Sequence, residues 1–287
     1  MQERKTVAIV GCGNLGIGLG EALISEGHEV IGIRRDVSKL PEHFKTCAAD
    51  VGAKEDMMKL PQSVDVWVYA VAADGRSEES YRRAYEIGPE NVCNHIARGS
   101  SGQSIYVSST GVYDIEDGRE VTEETPIAPM SFSAQALLAG ETSFHDLGGS
   151  ALRLGGIYGG GRHWLVRAVQ EGRASLRVGP PRYTNRIQRD DAVGLLKAMV
   201  DYEGTPLKVV LGVDDEPAPW NEVITWIADA LGVSLCSGGA ESAPSGSRRA
   251  SNKRCRSQYR TTLGYTLRYA TYREGYQQVL LDMGLIS

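Results

Sequence analysis

The chain has 287 residues, of which 41% are hydrophobic and 23% charged, the composition of a folded globular protein and not of a disordered one. Its 34 glycines are well above the ordinary ~7% share, and no G-X-Y period accompanies them, which excludes collagen. A net charge of −5 and a pI of about 5.6 give no sign of a general nucleic-acid binder. The five cysteines are scattered without CxxC spacing and suit reduced thiols. The longest apolar run, residues 66–73, falls far short of the ~18 residues of a membrane span. The opening MQERKTVAIVGCG enters a strand pattern without a signal-peptide layout, so a cytoplasmic location is expected.

The first half alternates short β-rich runs with helical patterns. Residues 6–10 read as a strand and 14–26 as a helix with Leu15, Leu19, Ala22, Leu23 and Ile24 on its apolar positions. Further strands are expected at 28–33, 44–49, 64–72, 104–108 and 150–154. A helix is expected over 80–98, with Gly88-Pro89 as its candidate break. This alternation predicts βαβ units and a parallel sheet, an α/β fold. Residues 207–212 read as another strand and 220–231 as an amphipathic helix. Residues 237–251, rich in Gly, Ser and Ala, predict a mobile loop. From 242 to 273 there is no acid and there are eight Lys or Arg, which suits either a surface loop or an anion-binding surface. The acidic stretch DIEDGREVTEE is expected to be solvated loop charge.

Gly11, Gly13 and Gly16 form G-x-G-x-x-G between the first strand and the first helix. In that context Gly11 permits a tight turn, Gly13 lets the backbone approach a pyrophosphate, and Gly16 lets helix pack on strand. A dinucleotide site is expected there, with Asn14 and Leu15 in the same loop. An NAD site usually carries Asp or Glu at the end of the second strand, bonded to the ribose 2′-OH. Here Arg34 stands in that place and Arg35 follows. Two guanidiniums suit a 2′-phosphate, so NADP is expected, with NAD as the alternative if both arginines are solvated and Asp36 serves the ribose.

Five motifs then occur in order. They are GCGNLG, Asp50-Val51, Val107-Ser108-Ser109-Thr110-Gly111-Val112-Tyr113, Arg153-Leu154-Gly155-Gly156-Ile157-Tyr158-Gly159 and Asn185-Arg186-Ile187-Gln188-Arg189-Asp190-Asp191. The chain thereby resembles the extended short-chain dehydrogenases/reductases of the NAD-dependent epimerase/dehydratase group, in an atypical branch. The resemblance implies a Rossmann doubly wound sheet over 1–155, with 184–232 returning to it. It implies a substrate region in 156–183 and 233–287. It also implies that Asp50 and Val51 lie near the adenine and that Ala70 and Ala72 approach the cofactor.

The departures from that family bear on chemistry. The family pairs Ser or Thr with a Tyr-x-x-x-Lys, and Ser109 stands at the first place. Counting back from Glu141, Ser133 falls at the Tyr position and Leu137 at the Lys position. A serine titrates too high to replace the phenol alone, and Leu137 offers neither charge nor hydrogen bond. The candidate substitute donors are Tyr158, after the sixth strand, and His163, an imidazole of the kind that serves as a general acid or base. Tyr113 is expected to be structural. Arg162, Arg167, Arg186 and Arg189 flank the expected cleft and would either grip an anionic substrate or pair with Asp190 and Asp191. The scattered histidines indicate no metal site.

Two functions follow as expectations. One is an NADP-dependent oxidoreductase or epimerase acting on a small carbonyl or nucleotide-sugar substrate. The other is a non-catalytic NADP(H)-binding redox sensor. The partner expected is a small-molecule substrate, anionic if the cleft arginines grip it, with no nucleic acid or membrane, and a homodimer is the candidate assembly.

Overall fold

The computed structural model of the protein describes residues 3–99, 102–237 and 251–287. Seven strands make one parallel sheet: β1 (Thr6–Val10), β2 (Glu29–Arg34), β3 (Lys45–Ala48), β4 (Val66–Tyr69), β5 (Gln103–Ser109), β6 (Ser150–Leu154) and β7 (Val209–Gly212). Their spatial order is β7-β6-β5-β4-β1-β2-β3, so the chain builds outward from β1 on one side and then returns to the other. Parallel strands covered on both faces need continuous apolar runs, and every residue of β4 and of β6 is buried. Arg153 is the charged exception within β6.

Helix α1 (Asn14–Ser25) buries Leu15, Leu19 and Leu23, spaced four apart on one face. It gives way to Gly27, whose φ of +91° is the left-handed conformation glycine accepts. A methyl at Gly18 would stand 2.9 Å from both Arg189 and Val193, so α1 can lie tightly against a later helix, α6 (Arg189–Asp201). The helix expected over 80–98 is not broken at Gly88-Pro89. It runs as α2 (Glu78–Arg82), a π turn (Arg83–Ile87) and α3 (Gly88–Ile96). Pro89 cannot donate an N–H, and the wider turn gives its ring room. The Ala84 carbonyl there accepts from the Tyr69 hydroxyl at 2.6 Å.

Helix α4 (Phe132–Asp146) is N-capped by the Ser131 hydroxyl and covers the β5–β6 side of the sheet. A second apolar cluster lies beyond the sheet. It joins Tyr158, α5 (Trp164–Gln170), α7 (Trp220–Leu231) and α8 (Tyr272–Asp282). Helix α7, expected within the returning segment, buries Val223, Ile224 and Ile227 in this second cluster. Asp191, at the start of α6, ties the C-terminal segment to the sheet body. It accepts from the Tyr265 hydroxyl at 2.9 Å and from the Arg268 and Tyr269 amides at 2.7 and 3.0 Å. The loop expected over 237–251 falls, for 238–250, outside the described residues. Among the described residues no helix is long and apolar enough to cross a membrane.

Candidate functional site

The sheet carries a cleft of about 320 Å³ at the C-terminal ends of β1, β2, β3 and β4. This is where the strand order reverses, the usual ligand position in open α/β sheets. Gly11, Gly13, Asn14, Leu15, Gly16, Arg34, Arg35, Asp50, Val51, Ala70 and Ala72 all line it. Gly11 has φ +77°, and its amide and that of Cys12 both donate to the Ile33 carbonyl, at 2.9 and 3.1 Å. A methyl at Gly11 would stand 2.5 Å from the Val71 nitrogen. Gly13 is different: a methyl there meets nothing closer than the Gly11 carbonyl at 3.9 Å. One glycine therefore serves the fold and the next leaves open space facing the cleft, the cradle a pyrophosphate requires. The Asn14 side chain donates to the Gly160 carbonyl at 2.8 Å, tying this loop to the glycine turn after β6.

The far end of the cleft is rich in charge. Arg34 donates to the Cys12 carbonyl at 3.1 Å and so braces the glycine loop. Arg35 makes a two-pronged pair with Asp74 at 2.8 and 2.9 Å. Asp36 caps a short turn through Ser38 and pairs with Lys39 at 3.4 Å. Asp50 accepts from Arg83 at 2.8 Å and from the Gly52 amide at 2.9 Å. Burial pushes the Cys12 thiol up to about 12, against a smaller opposing pull from Arg34, so this cysteine is an inert packing residue of the loop.

The catalytic candidates separate. Ser109 caps the turn Thr110–Val112, its hydroxyl accepting from the Gly111 amide at 3.0 Å. A methyl at Gly111 would lie 3.9 Å from Leu137, so this turn and α4 abut where the family's Ser and Lys meet. Leu137 is buried among Val112, Tyr113, Leu211 and Val213. The Ser133 hydroxyl lies 3.4 Å from that of Ser131. Tyr158 does not face the cleft, contrary to its candidacy as a donor. It is 3% exposed, stacks on Tyr276 with ring centres 4.3 Å apart, and its hydroxyl has no hydrogen-bond partner among the described residues. Burial also drives its pKa far upward, so it is placed as a core side chain. His163 accepts from the Gly161 amide at 3.2 Å and lines a second, open cavity of about 540 Å³. Arg162, Trp164 and Arg167 share that cavity, and Arg162 also lines the first. Neither Arg162 nor Arg167 pairs with a carboxylate among the described residues, and Trp164 is 60% exposed.

Other charged residues turn inward. Glu141 and Arg153 form a buried pair at 2.6 and 2.9 Å, extended by Ser108 to Glu141 at 2.5 Å and by Arg153 to the Tyr113 hydroxyl at 2.6 Å. Tyr113, expected to be structural, is thus part of a polar network behind β5 and β6, its hydroxyl donating onward to the Thr122 carbonyl at 3.0 Å. Its phenol is pushed up to about 12 by burial, against the nearby Arg153. A lone arginine in an apolar strand was the available signal for this network. Glu123 departs from the expected solvated acidic stretch: it is 8% exposed and accepts from the Leu211 amide, the Ser257 hydroxyl and the Gln258 amide, each at 3.0 Å. Asp114 likewise accepts from the Met130 and Ser131 amides at 2.7 and 2.9 Å. Arg189 pairs with Asp190 at 2.6 Å, whereas Arg186 is buried beside Asp214 and does not pair with Asp191. Among the described residues no group of His, Cys, Asp or Glu is arranged to hold a metal ion.

The class this fold and cleft define is a Rossmann-type dinucleotide-binding protein. The sequence model of the NAD dependent epimerase/dehydratase family matches residues 7–163, over half of the chain, and the chain belongs to that family. A 3-diazoavenalumate denitrifying reductase from a Streptomyces species is 27% identical over 244 residues, 77% of this chain and 79% of that protein. Protein YeeZ of Escherichia coli is 30% identical over 173 residues, 55% of this chain and 61% of its own length. A solved structure from Methylobacillus flagellatus, assigned to the NAD-dependent epimerases/dehydratases, superposes with a TM-score of 0.82 at 28% identity over 98% of this chain and 100% of that one. UDP-glucuronic acid 4-epimerase from Bacillus cereus, solved with NAD, superposes at 0.78 with 18% identity over 98% of this chain and 99% of that one, a likeness of fold.

Proposed function

We propose that the protein is an NADP(H)-dependent oxidoreductase of this family acting on a small anionic substrate. The observation that carries the reading is the end of β2, where Arg34 and Arg35 line the cleft in place of an acid. A planar guanidinium binds a phosphate through two parallel N–H donors, which an acid at this place would repel. Gly13 leaves the backbone open to a pyrophosphate, and Asp50 and Val51 line the end where the adenine belongs. When bound, the nicotinamide supplies or accepts a hydride.

The chain's own residues constrain which substrates suit. Leu137 removes the cation that would lower a phenol's pKa, and Ser133 removes the phenol itself. A reduction that leaves no oxyanion to protonate has no need of that pair, and a reductase of a diazo compound is among the relatives. Arg162 and Arg167 offer an anion two guanidiniums with no carboxylate partner among the described residues, and Trp164 offers a ring an exposed apolar face beside them. Ser109, held by its bond to Gly111, stands at the family's Ser or Thr position.

Fluorescence titration with NADPH, NADP, NADH and NAD tests this reading. Tighter binding of the phosphorylated pair is expected, and a preference for NADH would remove it. Turnover is then sought with NADPH over a panel of carbonyl, sugar-nucleotide and diazo carboxylate compounds. The second reading is an NADP(H)-binding regulator without chemistry, favoured by the burial of Leu137 where a lysine would work. Turnover lost in Ser109→Ala at unchanged NADPH affinity would sink it.

A further inference from the structure

The pair between Arg35 and Asp74 occupies a particular place. In the sheet order, β2 and β4 lie on either side of β1, whose end carries the glycine loop. Arg35 follows β2 and Asp74 lies beyond β4, so their pair reaches from one side of β1 to the other. Both residues line the cleft, and both are well exposed, at 57% and 66%. The geometry is the fork-to-carboxylate arrangement, two N–H donors on two oxygens at 2.9 and 2.8 Å. A 2′-phosphate would ask for the same fork. Arg34 is differently engaged, since its bond goes to the Cys12 carbonyl within the loop. Arg35 is therefore the guanidinium whose present partner is an anion standing where the cofactor's own anion would arrive.

We propose that Asp74 competes with the cofactor's 2′-phosphate for Arg35 and thereby sets the balance between NADPH and NADH. The inference rests on the NADP reading of the β2 end. Binding of NADPH exchanges one bidentate ion pair for another, and binding of NADH leaves the Arg35–Asp74 pair intact. Hydrogen bonds from Arg35 hold the Asp74 carboxyl below its ordinary pKa, so the competitor stays ionised at neutral pH. Asp74 thus costs affinity for NADPH alone, and removing its charge shifts selectivity toward the phosphorylated cofactor. An exposed pair of this kind moves an equilibrium by a factor of up to about five.

The test is a cycle of wild type, Asp74→Asn, Arg35→Gln and the double variant, each titrated with NADPH and NADH by fluorescence. Because both side chains are exposed, the thermal midpoint is expected to be unchanged in all four. Asp74→Asn is expected to tighten NADPH by about three- to fivefold and NADH by less than about twofold. Arg35→Gln is expected to weaken NADPH by at least about tenfold. In the Arg35→Gln background Asp74→Asn is expected to leave NADPH unchanged, because no fork remains to release. Unchanged NADPH affinity in the single Asp74→Asn variant overturns the competition. Equal tightening in both backgrounds also overturns it, since Asp74 would then act by repulsion alone. A wild type that prefers NADH removes the NADP reading, while the Asp74→Asn shift still decides the competition. Binding of none of the nucleotides overturns both.

Discussion

Replacing Gly13 by Ala separates the loop's two tasks. The backbone at Gly13 has φ −101°, which alanine adopts without strain, and an added methyl meets only the Gly11 carbonyl at 3.9 Å. Stability is therefore expected to change by no more than about 0.5 kcal/mol, or to rise slightly as the unfolded chain loses freedom. Binding is another matter. A pyrophosphate oxygen bonded to the loop amides sits about 2.9 Å from nitrogen, and the methyl would project into that space. At least tenfold weaker NADPH binding is expected, about 1.4 kcal/mol. Gly11→Ala makes the contrast. Its φ of +77° costs alanine roughly 1–2 kcal/mol, and the methyl would press on the Val71 nitrogen at 2.5 Å and Cα at 2.6 Å. With ~1–3 kcal/mol for that overpacking, the sum is about 3 kcal/mol, or roughly 6–12 °C of thermal midpoint. Differential scanning fluorimetry and NADPH titration read the two effects. A Gly13→Ala protein that binds NADPH as wild type does would refute the placement of the pyrophosphate on this loop.

Other outcomes are as definite. Tyr158→Phe deletes a buried hydroxyl with no partner among the described residues, so stability is expected to hold or rise by up to about 1 kcal/mol and turnover to stay within about twofold; a turnover collapse in a folded variant would return Tyr158 to the chemistry. Glu141→Gln leaves Arg153 buried without its counter-charge and is expected to cost about 3–5 kcal/mol in denaturant unfolding, whereas a loss below about 1 kcal/mol would show that the network is readily solvated. His145 donates to the Lys208 carbonyl, and burial lowers its pKa from the ordinary 6.5. The unfolded chain therefore takes a proton below about pH 6.5 while the folded protein resists it, and stability falls as pH drops through that window. The decline in thermal midpoint between pH 7 and 5 is expected to be shallower in His145→Gln, and equal slopes would exclude the histidine as a cause.

What could be read along the chain was governed by local rules. Steric freedom at Gly11 and the strand–loop–helix context located the dinucleotide cleft before any contact was known, because a tight turn at positive φ restricts residue choice at the turn itself. Unbroken apolar runs marked β4 and β6 for the same kind of reason: a strand covered on both faces has no polar side to show. Spacing from Glu141 located Ser133 and Leu137, since counting along one helix needs no tertiary information. Pro89 misled as a helix break because the remedy was a π turn and a hydroxyl from β4, a partner 15 residues away.

The rest depended on which residues the fold brings together. Arg35 and Asp74 are 39 positions apart, and Arg153 and Tyr113 are 40 apart. No periodicity connects such pairs, because each exists only once the sheet order is set. Tyr158 shows the same limit from the other side. Its place after β6 pointed to the ligand edge, but whether a side chain there faces solvent or core is settled by what packs against it, here Tyr276 and the close approach of Gly275. Local sterics and hydrophobic pattern thus determined the sheet and the glycine loop, and the family resemblance, placed on Ser133 and Leu137, showed the missing catalytic pair. Tertiary packing alone decided which charges face the cleft, because burial and long-range pairing belong to the assembled sheet and not to any one segment.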